Sequence, residues 1–473
     1  MKLIKTDICV IGAGSGGLSV AAGAVQMGAS VVLIEKSKMG GDCLNYGCVP
    51  SKSLLSASHI VNTVKSANKF GIHIDNYTVN YEEVFNHIHN VINTIAPNDS
   101  IERFEKLGVK VIKGAASFKN SKKVTVNDKI VSAKYFVIAT GSKPVILPIK
   151  GLDTVQYLTN ETIFDLKKIP EHLIVIGGGP IGCELSQGIC QLGAKVSIIQ
   201  RSRILAKDDP ELTKFVHDKL IEDGMDVYEK TSIDFVENID GKIHVCFQHE
   251  GKTVNITGSH LLLSVGRQPD IEGLNLDAAN IEYSNRGIHI NSRLRTNNKK
   301  IFALGDAALG YKFTHMAGYQ SGIIIRNILF RIPAKVNYNA VPWVTYTEPE
   351  LAHVGMHEDE ARKKFKDLKV LKRPFTENDR AQSELKTEGL IKVVTKKNGQ
   401  ILGASIVGSN SGDLIGTWCL AISQNLKIGA VAGCILPYPT RGEINKQVAG
   451  SFYTPMLFSA RTRKIVKFIM KWF

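Results

Sequence analysis

The stretch that most restricts this chain is "DICVIGAGSGGLSVAAGAVQMGASVVLIEK", because its pattern demands strand, tight turn, helix and strand in that order. Apolar residues Ile8 to Ile11 run into Gly12-Ala13-Gly14-Ser15-Gly16-Gly17. An alanine-rich helical segment follows, and a second apolar run closes at Glu35. Gly12 permits the turn, Gly14 lets backbone approach a pyrophosphate, and Gly17 lets the helix pack closely on the sheet. The helix N-terminus offers N–H donors to phosphate, and Glu35 is placed to accept from a ribose hydroxyl.

The pattern recurs in "HLIVIGGGPIGCELSQGICQLGAKVSIIQRSRIL", where Gly177, Gly179 and Gly182 follow the strand Leu173 to Ile176. Here the second strand, Lys195 to Ile199, is followed by Gln200, with Arg201 and Arg203 beyond it. A carboxylate at that place repels a 2′-phosphate, whereas guanidinium groups bind one bidentately. The second site is therefore expected to take NADPH; the alternative is NADH beside two ordinary surface arginines. Two such units predict an α/β fold with two Rossmann-like dinucleotide-binding domains. Two bound nucleotides point to electron transfer between them, a nicotinamide paired with a flavin.

At 473 residues the chain is too long for one hydrophobic core, and its 44% hydrophobic and 22% charged residues suit an ordinary globular protein. No run of about 18 uncharged apolar residues predicts a transmembrane helix. "MKLIKTDICV" passes straight into a strand, with no separate signal-peptide region, so a cytoplasmic location is expected. There, disulfides are usually catalytic and not structural. The net charge of +15 is read as a lysine-rich surface on a protein with phosphate-bearing ligands. Neither a concentrated basic patch nor a known module argues for nucleic acid.

The next constraint is "GGDCLNYGCVPSK", Gly40 to Lys52. A disulfide needs α-carbons within about 7 Å. Five residues of helix rise about 7.5 Å, so Cys43 and Cys48 cannot bridge along regular helix. The linker must bend, and Gly47 allows it. Pro50 and Ser51 then suit the first turn of a continuing helix. A thiol at such a helix start, near Lys52, is favoured as thiolate. The other cysteines, Cys9, Cys183, Cys190, Cys246, Cys419 and Cys434, are scattered and read as buried thiols, and no spacing suggests a metal site.

This segment resembles the redox-active disulfide of the class I pyridine nucleotide-disulfide oxidoreductases, which include glutathione reductase, dihydrolipoamide dehydrogenase and mercuric reductase. The resemblance runs along essentially the whole chain. "FVIATGSKP" (136–144) and "LLLSVGRQPD" (261–270) resemble the family's strands that cross between domains. "IFALGDAA" (301–308) resembles its second flavin motif, with Asp306 accepting from the ribityl chain. The C-terminal part resembles its interface domain. The implied layout is an FAD domain over 1–149 and 267–337, an NAD(P)H domain over 150–266, and an α+β dimerisation domain over 338–473 that builds a homodimer.

The resemblance further implies that Cys48 is the charge-transfer thiolate and Cys43 the interchange thiol. Lys52 and Glu184 correspond to an ion pair beside the flavin, though a bare structural pairing is the alternative. Cofactor contacts are implied at Lys36, Gly41, Gly114 and Ala115, at Thr140, Gly141 and Ser142, and at His315 and Gly266. The family's gating residue on the second turn reads Pro180.

One stretch departs from most thiol-reducing members. "ILPYPTRGE" has Tyr438 where they place a proton-shuttling histidine, with Glu443 in the place of its glutamate. A phenol titrating near pH 10 is a poor base at neutrality. The Pro-Tyr-x-Thr segment resembles the mercuric reductase branch, but the chain ends "KFIMKWF", without that branch's C-terminal cysteine pair. Cys434 is a candidate substitute ligand, against a buried structural thiol. The expected acceptor is thus a disulfide or a thiophilic metal ion. The alternatives are an NAD-linked dihydrolipoamide dehydrogenase and a membrane-associated redox subunit of low turnover. Finally, "MLFSARTRKIVKFIMKWF" (456–473) winds into a basic amphipathic helix with terminal aromatics. It either packs on the body of the dimer or makes peripheral contact with the inner membrane face.

Overall fold

A computed structural model of the chain describes residues 1–472; Phe473 lies outside the described residues. Two compact units emerge. The first comprises Met1–Arg201 and Tyr228–Asn337, and the second Ser202–Val227 and Tyr338 onward.

The first unit is built on β1 (Lys2–Ile11), α1 (Ser15–Gln26) and β2 (Val31–Glu35), then two helices, α2 (Gly41–Asn45) and α3 (Cys48–Ser66). With β3 (Lys110–Lys113), β4 (Ser117–Asn120), β5 (Lys123–Val126) and β6 (Lys129–Ile138), the sheet runs β3-β2-β1-β6-β5-β4. The strand Ile301–Ala303 also pairs with β6 in parallel. Register is set by Ile8 opposite Val31 on one side and opposite Tyr135 on the other.

The second half of β1, Ile8–Ile11, is apolar without alternation because it is covered on both faces. Cys9 and Ile11 join a core with Ile34, Phe118 and Phe136, while Ile8 and Val10 face Leu18, Val20 and Ala21 of α1. Each large side chain so covered contributes about 1.5–3 kcal/mol. The small residues of α1 admit its neighbour: a Cβ on Gly23 would fall 2.5 Å from Ile325 Cδ1 of the helix Thr314–Ile328.

Further along the same unit, β7 (Ser142–Pro144) pairs antiparallel with Arg267–Pro269. β8 (His172–Ile176) pairs in parallel with β9 (Lys195–Ile199) and with His260–Leu263, and the helix Pro180–Gln191 follows β8. Three antiparallel strands, Ser232–Ile239, Lys242–His249 and Lys252–Gly258, lie beyond.

The second unit is a five-stranded antiparallel sheet, ordered Pro342–Thr345, Glu350–Gly355, Ile401–Gly408, Leu390–Lys396, Leu368–Pro374. Helices around the buried Trp418 cover it, and the Trp418 indole donates to Asn445 Oδ1 at 2.8 Å. Residues 202–227 are tied to this sheet by Lys392. Its buried ammonium reaches Asp209 at 2.7 Å, Glu211 at 3.2 Å and Glu358 at 2.7 Å. Two nucleotide-binding strand-turn-helix units and an antiparallel C-terminal domain make the α/β class expected from the sequence.

Candidate functional site

The cysteine segment is shaped by close backbone contact. Gly41 has φ +62°, and a Cβ on it would lie 2.7 Å from Gly14 Cα. The segment therefore presses against the first glycine turn, where Gly14 and Gly40 form a bridge. Cys43 lies in α2, the chain bends at Gly47, and Cys48 opens α3. A Cβ on Gly47 would come within 2.9 Å of Asp42 Oδ2 and 3.1 Å of Asp42 O, so the bend expected from the sequence leaves little room for a side chain.

Both cysteines are reduced thiols in this structure. The Cys43 thiol donates to Cys48, and that bond is the main reason the Cys48 pKa falls from 9.0 to about 6. Burial opposes the shift; the Thr314 hydroxyl, 3.5 Å from Cys48 Sγ, and the charge of Lys52 support it. The same bond, burial and the neighbouring thiolate push Cys43 upward. One sulfur is thus poised as thiolate and the other keeps its proton, the division a two-sulfur redox couple needs.

Around the sulfurs lies a polar frame. Lys52 Nζ is 2.7 Å from Glu184 Oε2, joining α3 to the helix of the second glycine turn, with the carboxylate nearly buried. Arg267 donates to Asp42 Oδ1 at 2.9 Å, to Asn160 Oδ1 at 3.0 Å and to Ser142 Oγ at 2.8 Å. Ser142 in turn donates to Asp306 Oδ2 at 2.7 Å, and burial raises the Asp306 pKa. Sequence reasoning missed Asp42, Asn160, Arg267 and Thr314. Asp42 was visible beside Cys43, but the other three converge only through the tertiary fold. His315 is exposed and stacks on Phe313, with ring centroids 5.2 Å apart.

The first glycine turn opens onto a cavity of about 150 Å³, lined among others by Gly12, Glu35, Gly114, Ala115 and Thr140. Lys36 also lines it, but its ammonium pairs with Asp270 at 2.7 Å. Gly141 accepts from the Asp270 N–H, fixing that wall, and Gly266 accepts from Val145 N–H where the crossing strands meet. Glu35 accepts from Ala13 N–H and from Ser37 N–H, both at 2.6 Å. Its carboxylate keeps lone pairs for ribose hydroxyls. The Thr140 hydroxyl is buried without a partner among the described residues, a cost a bound ligand would remove. This donor-rich turn, acidic acceptor and orphaned hydroxyl fit the adenosine part of FAD.

At the second turn, Gln200 Oε1 accepts from Gly178 N–H at 2.7 Å, and Arg201 is exposed beside it. Arg203 departs from the expectation. Its guanidinium donates to the carbonyls of Leu205, Ala206 and Asp208 and to Thr213 Oγ1, all in the second unit. Those bonds occupy its planar fork, whereas Arg201 stands exposed.

Tyr438 and Glu443 lie in the second unit. Tyr438 is exposed, and its hydroxyl donates to Asp379 Oδ2 at 2.9 Å, which raises the phenol pKa. Asp379 was invisible to motif reading because it is distant in sequence. Arg441 anchors the same loop by pairing with Glu384. The expectation that the remaining cysteines are buried holds for Cys9, Cys183, Cys190 and Cys246, but Cys419 is half-buried and Cys434 is exposed.

Comparison with known proteins agrees with this geometry. The model of the pyridine nucleotide-disulphide oxidoreductases matches residues 6–321, and that family's dimerisation domain matches 341–449. The chain is 36% identical to a mercuric reductase of Bacillus cereus over 92% of this chain and 70% of that one. It is 35% identical to a dihydrolipoyl dehydrogenase of Bacillus subtilis (strain 168) over 94% and 96%. The fold also matches the Cu(II) complex of the HOCl-induced flavoprotein disulfide reductase RclA from Escherichia coli. There the TM-score is 0.85 at 24% identity, covering 95% of this chain and 99% of the other. A dithiol at the start of a helix, framed by two dinucleotide turns and followed by a dimerisation domain, makes this chain a member of the class I pyridine nucleotide-disulfide oxidoreductases.

Proposed function

We propose that this enzyme oxidises NADPH and delivers the electrons to a soft, thiophilic metal ion, with Hg(II) as the model acceptor. The observation that carries the reading is Tyr438, hydrogen-bonded to Asp379 with its pKa raised. Reducing a disulfide, NADPH + H⁺ + RSSR → NADP⁺ + 2 RSH, requires protons for the departing thiolates, and a phenol so held is a poor shuttle. Reducing a metal ion, NADPH + Hg²⁺ → NADP⁺ + H⁺ + Hg⁰, requires none. The similarity to mercuric reductases supports this choice.

A bound FAD would supply the two-electron chemistry that links the nicotinamide to the cysteine couple. Gly12, Gly14, Gly17, Glu35, Thr140 and Asp306 would hold it. Gly177, Gly179, Gly182 and Arg201 would hold NADPH, Gln200 removing the charge that repels a 2′-phosphate. Lys52 and Thr314 keep Cys48 as thiolate, while Cys43, holding its proton, meets the acceptor. Tyr438 and Glu443 serve as acceptor-side ligands or hydrogen-bonding groups. The boundaries 1–149 with 267–337, 150–266 and 338–473 describe the FAD, NADPH and dimer domains, and the enzyme is a homodimer.

A second reading, NAD-linked dihydrolipoamide dehydrogenase, has the likeness to dihydrolipoyl dehydrogenases in its favour. Anaerobic NADPH oxidation with Hg(II), oxidised glutathione and lipoamide in turn decides between them. Turnover with Hg(II), abolished in Cys43→Ser and Cys48→Ser, is expected; brisk lipoamide turnover overturns the proposal.

A further inference from the structure

We propose that the C-terminal helix Ala460–Trp472 docks the protein onto an anionic lipid bilayer, lying in the plane of its surface. The helix has no buried residue. Ile465, Phe468, Ile469 and Trp472 are 49%, 64%, 47% and 66% exposed, and Met456, Leu457 and Phe458 just before it are exposed too. At about 100° per residue, Arg463, Lys464, Lys467 and Lys471 fall within one arc of roughly 100° and those four apolar side chains share another on the far side, with Arg461 of the first turn the one cation inside the apolar arc. No helix among the described residues is long and apolar enough to cross a membrane. A cationic arc opposite an aromatic and aliphatic face is the pattern of a helix that rests in the headgroup region.

Charge selects the occupant of that face. The last acidic residue of the chain is Glu443. Beyond it come Lys446, Arg461, Arg463, Lys464, Lys467 and Lys471, with no Asp or Glu. Such a run is drawn to anionic headgroups. The dimerisation-domain match also ends at residue 449, before the helix begins.

The helix is prepared for the surface. Ser459 Oγ accepts from Thr462 N–H at 3.1 Å, and Thr462 Oγ1 donates to Met456 O at 2.7 Å, so its first turn is capped before any lipid arrives. At the far end Lys471 Nζ lies 5.9 Å from the Trp472 ring centroid, and Phe468 stands 6.3 Å from Trp472. Amphipathic rings flanked by cations prefer the interface between headgroups and acyl chains.

The test uses the full-length holoenzyme sedimented with phosphatidylcholine vesicles, with or without phosphatidylglycerol, at low and high salt. Sedimentation only with phosphatidylglycerol, reversed by salt, is expected. Each of Lys464→Gln, Lys467→Gln and Lys471→Gln should lower partitioning roughly fivefold. Phe468→Ala with Trp472→Ala should weaken it, and a chain ending at Ser459 should abolish it. Dimer mass and NADPH oxidation should stay unchanged throughout. The proposal fails if the full chain ignores phosphatidylglycerol or if the shortened chain still sediments. It also fails if shortening turns dimer into monomer, which would make a second copy the occupant.

Discussion

The two glycine turns of the first unit use one backbone device with two different charges. In each, the third glycine sits where a Cβ would meet the first glycine's carbonyl oxygen at 1.9 Å, Gly17 against Gly12 and Gly182 against Gly177. In each, the side chain at the end of the second strand or just beyond it accepts from the N–H of the turn's middle residue. Glu35 binds Ala13 N–H at 2.6 Å, and Gln200 binds Gly178 N–H at 2.7 Å. The acidic residue of this motif thus has two separable roles, closing the turn and reading the ribose. Glutamine keeps the first and drops the negative charge of the second. One fold element repeated in one chain thus presents two different charges where the adenosine ribose of a dinucleotide would sit.

The largest expected effect probes the shared device. Gly17→Ala and Gly182→Ala should each cost about 3 kcal/mol or more, because the new Cβ meets backbone and not a yielding side chain. Denaturant midpoints give the cost. Flavin content should fall only in Gly17→Ala and NADPH affinity only in Gly182→Ala; equal loss of both would break the division of labour. Next comes the link between the regions. Lys52→Met leaves Glu184 nearly buried and short of its cation, which should cost roughly 2 kcal/mol, less than a fully buried pair because Lys52 is partly exposed.

The charge difference itself is sharpened by Gln200→Glu, which should raise the KM for NADPH at least about tenfold, ~1.4 kcal/mol, and leave NADH unaffected. Arg201→Glu should act in the same direction, and an unchanged preference would remove NADPH from the assignment. Arg203→Ala should leave the KM for NADPH unchanged while lowering stability by about 1 kcal/mol, since its bonds tie its own loop to the start of the helix Pro210–Glu222. The finest effect concerns pH. The depressed Cys48 pKa means that its thiolate persists above about 6 and is lost as pH falls through that value. Alkylation of the reduced enzyme should follow that curve. Cys43→Ala should move the midpoint upward, toward the ordinary thiol, and Thr314→Val should move it upward by less.

The strand-turn-helix units were legible because their constraints are local. A glycine that must sit against a carbonyl five residues back leaves its mark within a dozen positions, and the bend at Gly47 follows from the spacing of two cysteines. The ion pair between Lys52 and Glu184 was reached only through resemblance, since nothing local connects α3 to a helix more than a hundred residues on. The bonds of Arg203 were not legible, because sequence shows that a guanidinium is present but not which carbonyls it turns toward. Residues 202–227 follow β9 in sequence, yet Lys392 binds them to the sheet of the other unit.

By itself, then, the sequence determined the two nucleotide turns, the bent cysteine pair and the cationic C-terminal helix, because backbone sterics and side-chain periodicity act over short stretches. Only the tertiary structure decided that the Cys43 thiol and Thr314 hold Cys48 as the thiolate expected from the sequence, that Asp379 holds Tyr438, and that Arg267 frames the site. Those outcomes depend on hydrogen bonds and charges between segments far apart in the chain, whose meeting no local pattern encodes.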